Sequence, residues 1–179
     1  MTKGKLLVIV DMQNDFIDGA LKNLDAQAIV PKIVEKIREF DGDAIMLTMD
    51  THNKEYLETA EGRHLPVVHC VMSTDGWEIN KKIHEAVQKK GIRYTMEKKG
   101  TFGDPYIGIK AYECCGTEPG EIEICGTCTD ICVVSNALTL KTAYPDADIK
   151  VLKDLCAGVT KESHEAALLT MKMCQIEIV

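Results

Sequence analysis

Cys132 lies where the sequence predicts a nucleophile. It belongs to residues 126–133 (GTCTDICV), which follow a short apolar run at 122–125 that is typical of a buried strand. An apolar-periodic stretch at 133–144 follows and predicts a helix. Unpaired N–H groups and the positive end of the dipole at a helix start lower the pKa of a thiol. We therefore expect Cys132 to be an activated nucleophile.

A carboxylate and two amines follow other apolar runs. Asp11 ends the first run, in VIVDMQNDF, and Lys98 and Lys99 follow a later one, in YTMEKKGTFGD. A carboxylate at the end of a buried strand is costly to desolvate without a partner, so Asp11 is either a turn or helix cap or a general base beside a thiol. A buried ammonium would stabilise both a carboxylate and a thiolate.

A second group of residues has the composition of a metal site. Asp50 and His52 stand at the end of another apolar run, His69 ends a nearby segment, and Glu61 and His64 lie between them. Carboxylate and imidazole together suit a divalent metal such as zinc, manganese or iron. A histidine taken alone is usually an ordinary polar residue, so the metal interpretation depends on Asp50, His52 and His69 taken together, and for these three the ordinary polar role stays an equal alternative.

The elements that must position these residues alternate along the chain. Seven apolar runs predict strands, at residues 5–10, 44–49, 65–71, 92–96, 122–125, 149–152 and 175–179. Five amphipathic patterns predict helices, at residues 28–40, 78–90, 105–115, 133–144 and 161–173. Such alternation is typical of a mostly parallel sheet covered by helices on both faces. The strand ends at Asp11, Asp50, Lys98–Lys99 and Gly126 would then line one edge of the sheet.

Composition restricts the partners and the location. The 179 residues predict one domain over 1–179, and the net charge of −7 argues against binding nucleic acid. No apolar run approaches the ~20 residues that span a bilayer, so no membrane partner is expected. The first residues lead straight into a strand, which predicts a cytoplasmic protein. The eight cysteines are scattered and predict free thiols, although Cys125 and Cys128 leave a redox or zinc pair open.

Six short segments, spread from Leu7 to about Thr170, carry a resemblance to a known family. They are VIVDMQNDF, the Asp50-Thr51-His52 strand end, LPVVHC, EKKGTFG, ICGTCTDICV and DLCAGVT. In this order they resemble the isochorismatase-like cysteine hydrolases, and within them the nicotinamidases. The resemblance implies a Rossmann-like α/β fold, a three-layer α/β/α domain with a six-stranded, mostly parallel sheet.

The resemblance also implies a Cys–Asp–Lys triad that hydrolyses an amide. Cys132 matches the family nucleophile, Asp11 the acid and Lys99 the lysine, with Lys98 as the alternative. A cis peptide bond before Cys128 is implied as well, and it would aim the Cys128 N–H at the substrate oxygen. The N–H groups of Cys128 and Cys132 would then form the oxyanion hole.

In nicotinamidases a metal binds the pyridine nitrogen and orients the ring. The residues that match its ligands are Asp50, His52, His69 and Glu61, with Glu58 or His64 as alternatives to Glu61. Isochorismate-cleaving relatives lack this set, so the resemblance favours a nicotinamidase. Zinc is the expected metal, with manganese or iron as alternatives, and family members are commonly homo-oligomers, either dimers or tetramers.

One departure from the family concerns the substrate pocket. Many nicotinamidases carry a Trp shortly before the last metal His, where this chain has residues 65–68 (LPVV). Phe16 and Phe102 would form the walls instead. The predicted activity is hydrolysis of a small amide, nicotinamide to nicotinate and ammonia. Another amide, an N-carbamoyl compound or isochorismate is the alternative substrate, and a catalytically silent binding protein or a thiol redox protein is the alternative without hydrolysis.

Overall fold

The computed structural model describes residues 3–179, which form an α/β fold around a six-stranded sheet. Its strands are β1 (Gly4–Val10), β2 (Ala44–Asp50), β3 (Arg93–Lys99), β4 (Pro119–Thr127), β5 (Asp148–Ala157) and β6 (Glu177–Ile178). They lie in the order β3-β2-β1-β4-β5-β6, and every neighbouring pair is parallel. The predicted fold class is confirmed.

Helices connect the strands. They are α1 (Asn14–Ile17), α2 (Leu24–Glu39), α3 (Ala60–His64), α4 (Lys81–Lys90), α5 (Ile107–Cys115), α6 (Val134–Ala143) and α7 (Lys161–Met173). Helices α2 and α4 pack together, as do α5, α6 and α7. The crossovers that contain α2 and α4 run along the sheet from β1 to β3, and those that contain α5, α6 and α7 run the opposite way, from β3 to β6. Because such crossovers are right-handed, the two groups of helices lie on opposite faces of the sheet. The result is the predicted three-layer arrangement.

Capping residues explain where two helices differ from their predicted starts. Helix α2 begins at Leu24 rather than residue 28 because the Asn23 side chain accepts hydrogen bonds from the N–H groups of Asp25 and Ala26. Helix α4 begins at Lys81 rather than residue 78 because Asn80 caps it in the same way. Apolar periodicity locates the buried face of a helix but not the cap that starts it.

The predicted strand at residues 65–71 is wrong. Only Val71 pairs in this segment, in an isolated bridge with His52, and the chain is otherwise irregular. Leu65 and Val68 are 38% and 45% exposed, so the first part of this apolar run lies at the surface, and burial begins only at His69 and Cys70. Pro66 also lacks the N–H that a sheet ladder requires. The segment instead crosses the end of the sheet and presents His69 there.

The register of the sheet brings distant residues to one edge. Asp50 at the end of β2 pairs with Lys99 at the end of β3, and Val10 of β1 pairs with Gly126 of β4. The helices that follow β1 and β4 lie on opposite faces, which opens a crevice between these two strand ends. Open α/β sheets bind ligands at such a switch point.

Candidate active site

Asp11 turns the chain at the carboxyl end of β1. Its side chain is fully buried and its φ is 48°, in the left-handed region that Asp tolerates better than most residues. The Thr48 hydroxyl of β2 donates a hydrogen bond of 2.6 Å to Asp11 Oδ1, and the Asp11 N–H donates to the Thr48 carbonyl at 3.2 Å. These contacts aim the second carboxylate oxygen into the crevice.

Lys99 joins the carboxylate to the cysteine. Its Nζ lies 2.6 Å from Asp11 Oδ2, 3.5 Å from Cys132 Sγ and 3.7 Å from Asp50 Oδ1. The Lys99 side chain is only 1% exposed, whereas the Lys98 ammonium lies 5.0 Å from the Trp77 ring. The structure therefore places Lys99, and not Lys98, beside Asp11 and Cys132.

Cys132 lies in a wide helical turn, Thr129–Val133, that follows β4 and leads into α6. The peptide bond between Thr127 and Cys128 at the start of this turn is cis, as the resemblance implies. The Cys128 carbonyl accepts hydrogen bonds from the N–H groups of Ile131 and Val133 at 3.1 and 3.0 Å, which closes the turn. Cys132 is 5% exposed, and its sulfur faces a cavity.

The pKa of Cys132 does not follow the prediction from its position at a helix start. Burial raises the pKa of this thiol well above its usual range, and the nearby Asp11 carboxylate raises it further, while Lys99 opposes both. Cys132 is therefore a neutral thiol that needs a base, rather than a preformed thiolate.

The other two groups have complementary pKa changes. Burial raises the pKa of Asp11, and Lys99 only partly offsets this. A carboxyl group with a raised pKa is better matched to proton transfer near neutral pH. Burial disfavours the charge of Lys99, but the nearby acidic groups, Asp11 first among them and also Asp50, outweigh it and raise the pKa of Lys99. The lysine therefore stays protonated.

Four side chains form a compact donor cluster next to this group. Ligand atoms of Asp50, His52, Glu61 and His69 all lie within 4.8 Å of one another. The His69 ring is oriented by a 2.8 Å contact from its Nδ1 to the Val67 carbonyl, which turns its Nε2 towards Asp50. His52 Nε2 is buried and forms no hydrogen bond with any residue from 3 to 179, although it lies 2.9 Å from Asp50 Oδ2.

The alternatives to Glu61 lie outside this cluster. Glu58 and His64 are exposed, and His64 Nδ1 contacts the Ala60 carbonyl of its own helix at 2.8 Å. Glu61 Oε1 lies 3.7 Å from His52 Nε2 and 3.9 Å from His69 Nε2.

Burial opposes the charge of Asp50, but the two imidazoles and Lys99 outweigh it and lower the pKa of this carboxyl, so it is ionised. The cluster offers two nitrogen and two oxygen donors, a set that zinc, manganese and iron accept.

Cys132 and three residues of the donor cluster, Asp50, Glu61 and His69, line one cavity of about 620 Å³. Phe16 and Phe102, the residues expected to form walls, both line it, and the Phe16 ring lies 5.6 Å from the His69 ring in an edge-on contact. Phe16 is buried, while Phe102 is 46% exposed and stands at the mouth. Leu65 lines the cavity from the segment where many nicotinamidases carry Trp.

Sequence reasoning missed three buried residues that hold the site in place. Gln13 binds the backbone of Asp50 from both sides, donating to its carbonyl and accepting from its N–H, each at 2.8 Å. Thr48 holds Asp11, and Asn136 donates to the Cys132 carbonyl at 2.8 Å. For Thr48 and Asn136 the available signal was a polar residue inside an otherwise apolar element, because a buried polar side chain needs a partner.

The remaining predictions concern thiols and membranes. All eight cysteines are free, as predicted, and Cys125 is fully buried within β4. Burial raises the pKa of Cys125 and raises that of Cys128 to about 11, so neither thiol has the low pKa of a reactive redox pair. Among residues 3–179, no helix combines the length and apolar character that crossing a membrane requires.

Comparisons with known proteins agree with this geometry. The chain is 31% identical to an uncharacterized isochorismatase family protein named PncA from Bacillus subtilis, over 92% of each chain. It is 27% identical to the nicotinamidase/pyrazinamidase of Mycobacterium tuberculosis, over 98% of each. Its fold resembles the crystal structure of a pyrazinamidase of Pyrococcus horikoshii in complex with zinc, with a TM-score of 0.76, 30% identity and 98% coverage of both chains.

A second solved structure is similar over the whole chain. The crystal structure of the nicotinamidase/pyrazinamidase PncA from Bacillus subtilis superposes with a TM-score of 0.84 at 25% identity, covering 99% of this chain and 100% of that one. The profile of the family described as "Isochorismatase domain" matches residues 5–179. The chain therefore belongs to the isochorismatase domain family.

Proposed function

We propose that this protein hydrolyses nicotinamide to nicotinate and ammonia through a thioester on Cys132. The observation that carries the proposal is the buried contact of the Lys99 ammonium with both Asp11, at 2.6 Å, and the Cys132 sulfur, at 3.5 Å, beside a cavity that three residues of the donor cluster also line. Relatives named nicotinamidase support the choice of substrate.

The first step is proton transfer from the thiol to the carboxylate. Asp11 takes the Cys132 proton, and the Lys99 ammonium stabilises the thiolate as it forms. The thiolate attacks the amide carbonyl of nicotinamide, whose oxygen becomes an oxyanion. The raised pKa of Asp11 suits it both to accept this proton and to release it later.

Backbone N–H groups are the proposed stabilisers of the oxyanion. The N–H groups of Cys128 and Cys132 belong to the turn that carries the nucleophile, and both residues line the cavity. One such donor contributes about 3 kcal/mol to transition-state stabilisation. Because the turn is closed by its own hydrogen bonds, these donors need little reorganisation when the charge develops.

The second half of the reaction returns the enzyme to its starting state. Protonated Asp11 gives its proton to the departing ammonia, which breaks the C–N bond and leaves a nicotinoyl thioester on Cys132. Asp11 then takes a proton from an incoming water molecule, whose oxygen attacks the thioester carbonyl. Nicotinate leaves, and the Cys132 thiol regains its proton.

A divalent metal fits the donor cluster. The buried His52 Nε2 has no hydrogen bond within residues 3–179, and two imidazoles with two carboxylates suit zinc, manganese or iron. The residues that would hold it are Asp50, His52, Glu61 and His69. These side chains would hold the metal beside the cavity, and a metal bound there would supply a Lewis acid that could take up the pyridine nitrogen of the substrate.

The test is ammonia and nicotinate production from nicotinamide by the purified protein with zinc, manganese or iron supplied. Benzamide is the matched control substrate, because it lacks the ring nitrogen; we expect its kcat/KM to be at least about 10-fold lower. An N-carbamoyl compound and isochorismate complete the panel. No product from nicotinamide with any of the metals would reject the proposed substrate.

Four finer expectations accompany this proposal. Zinc is the expected metal, the assembly is expected to be a homo-oligomer of two or four chains, one domain is expected to span residues 1–179, and the location is expected to be cytoplasmic. Elemental analysis of the purified protein tests the metal, which a metal-free active enzyme would contradict, and light scattering tests the assembly, which a monomer would contradict. Limited proteolysis tests the single domain, which cleavage into two stable halves would contradict. Cell fractionation tests the location, which a membrane-bound fraction would contradict.

A further inference from the structure

Asn136 connects the nucleophile turn to one wall of the cavity. It lies one helical turn after Cys132 in α6 and is fully buried. Its Nδ2 donates to the carbonyls of Cys132, at 2.8 Å, and Phe102, at 3.2 Å, while its Oδ1 accepts from the N–H of Asp104 at 2.9 Å. Both donors and one acceptor position of the amide are thus used, and they join α6 to a segment that is more than 30 residues away in sequence.

The wall that Asn136 holds has no regular secondary structure of its own. Residues 101–106 form bends and turns between β3 and α5. Gly103 packs so closely on α6 that an added Cβ would approach the Ser135 Cβ to 3.0 Å. The Lys99 ammonium also donates to the Thr101 carbonyl at 3.2 Å. The segment is therefore held from one end by Lys99 and from the other by α6.

We infer that Asn136 is a positioning residue that fixes the distance between the Phe102 wall and the Cys132 sulfur, and thereby determines how well a ring-bearing amide is held for attack. The inference rests on the proposed amide hydrolysis at Cys132. Phe102 is 46% exposed and lines the cavity, so the hydrogen bond from Asn136 to its carbonyl, rather than core packing, defines its place.

The first test is kinetic and uses two substitutions. Asn136→Leu removes all three hydrogen bonds and keeps the branched shape of the side chain. Asn136→Ser keeps a hydroxyl that can bond the Cys132 carbonyl one turn back but is too short to reach the segment at Phe102. We expect both to lower kcat/KM for nicotinamide by about 10- to 100-fold, mainly through KM, because a ring wall acts on ground state and transition state alike.

A double-mutant cycle separates positioning from a general loss of structure. If Asn136 acts through the wall, Asn136→Ser changes kcat/KM less than about threefold when Phe102→Ala is already present. An equal loss in both backgrounds would overturn the inference, as would a loss confined to kcat. Should Asn136→Leu fail to fold, Asn136→Ser and the exposed Phe102→Ala still complete the cycle.

Thr139→Val is the matched control on the same helix. Its hydroxyl donates to the Ser135 carbonyl at 2.8 Å, one turn further along α6. We expect this variant to keep the wild-type kcat and KM. A loss equal to that of Asn136→Ser would assign the effect to the helix rather than to the wall and would overturn the inference.

A second readout does not depend on the substrate. Cys132 is alkylated with iodoacetamide and with N-phenyl-iodoacetamide, whose ring must pass the Phe102 wall. We expect Asn136→Ser to change the ratio of the two rates by about 10-fold while the iodoacetamide rate stays within about threefold. An unchanged ratio would overturn the role of Asn136. If wild-type protein releases no ammonia from nicotinamide but this ratio changes, the proposed substrate fails and the positioning role stands.

Discussion

Substituting Lys99 by Met should destabilise the fold strongly, although the two side chains have similar length. The Lys99 ammonium is 2.6 Å from Asp11 Oδ2, and the two side chains are 1% and 0% exposed. Lys99→Met leaves the Asp11 carboxylate buried without its partner. Removing one member of a buried ion pair costs about 3–5 kcal/mol. With a urea m-value of about 2 kcal/mol/M, the unfolding midpoint falls by about 2 M.

Removing both charges together should restore most of this stability. In the double variant Asp11→Asn/Lys99→Met, the introduced amide oxygen can still accept the hydrogen bond from Thr48, and no unpaired charge is buried at this pair. We expect the double variant to unfold within about 2 kcal/mol of the wild type, since a buried ion pair contributes little net stability. Asp11→Asn alone should lose less than Lys99→Met, because Asp50 Oδ1 remains 3.7 Å from the ammonium. All three variants should be inactive.

Urea unfolding followed by circular dichroism measures these changes, with a chelator present so that metal binding does not contribute. Lys54→Met is the matched control, because Lys54 is exposed; it should change the free energy of unfolding by no more than about 0.5 kcal/mol. If Lys99→Met unfolds at the wild-type urea concentration, or if the double variant loses the sum of the two single losses, the electrostatic explanation of the site is refuted.

Two further predictions concern proton transfer and metal binding. Because burial raises the pKa of Asp11 above 3.8, and the base must be ionised, kcat/KM should fall as the pH drops through that higher pKa. Thr48→Val removes a hydrogen bond that lowers this pKa, so the acid limb of the pH profile should move to higher pH; a shift to lower pH contradicts the assignment. Gln13→Leu frees the Asp50 backbone and should weaken zinc binding by about 10- to 100-fold in a calorimetric titration, while Gln88→Leu, on the exposed face of α4, should leave it unchanged. Equal affinities for the two variants would show that Gln13 does not support the metal ligands.

The apolar pattern predicted the elements that enter the core and failed at the ends of the sheet. Helix α7 begins and ends where predicted because its periodic face is buried and Thr160 caps it. The run at 65–71 is as apolar as a strand but borders the cavity. Strand β3 extends to Lys99, past the predicted residue 96, because its polar end pairs with β2, and such pairing leaves no mark in the apolar pattern.

Residue types at strand ends pointed to the site, but the residues that hold it could not be found this way. Asp11, Lys99 and Cys132 each follow an apolar run, so the topology of a parallel sheet predicts that they meet. Thr48 and Gln13 act on partners 37 residues away, which only the folded chain reveals. The sign of the Cys132 pKa change was wrong for the same reason: the helix start is local, whereas burial and the Asp11 charge are tertiary.

Nicotinate formation by Cys132→Ala, measured beside the wild type and Cys174→Ala with metal present, tests the role of the sulfur most directly. Cys174 is exposed, so its loss controls for removing a thiol elsewhere. We expect Cys132→Ala to lose more than about 1,000-fold in rate and Cys174→Ala to keep the wild-type rate. Nicotinate production by Cys132→Ala at the wild-type rate would contradict covalent catalysis at this site.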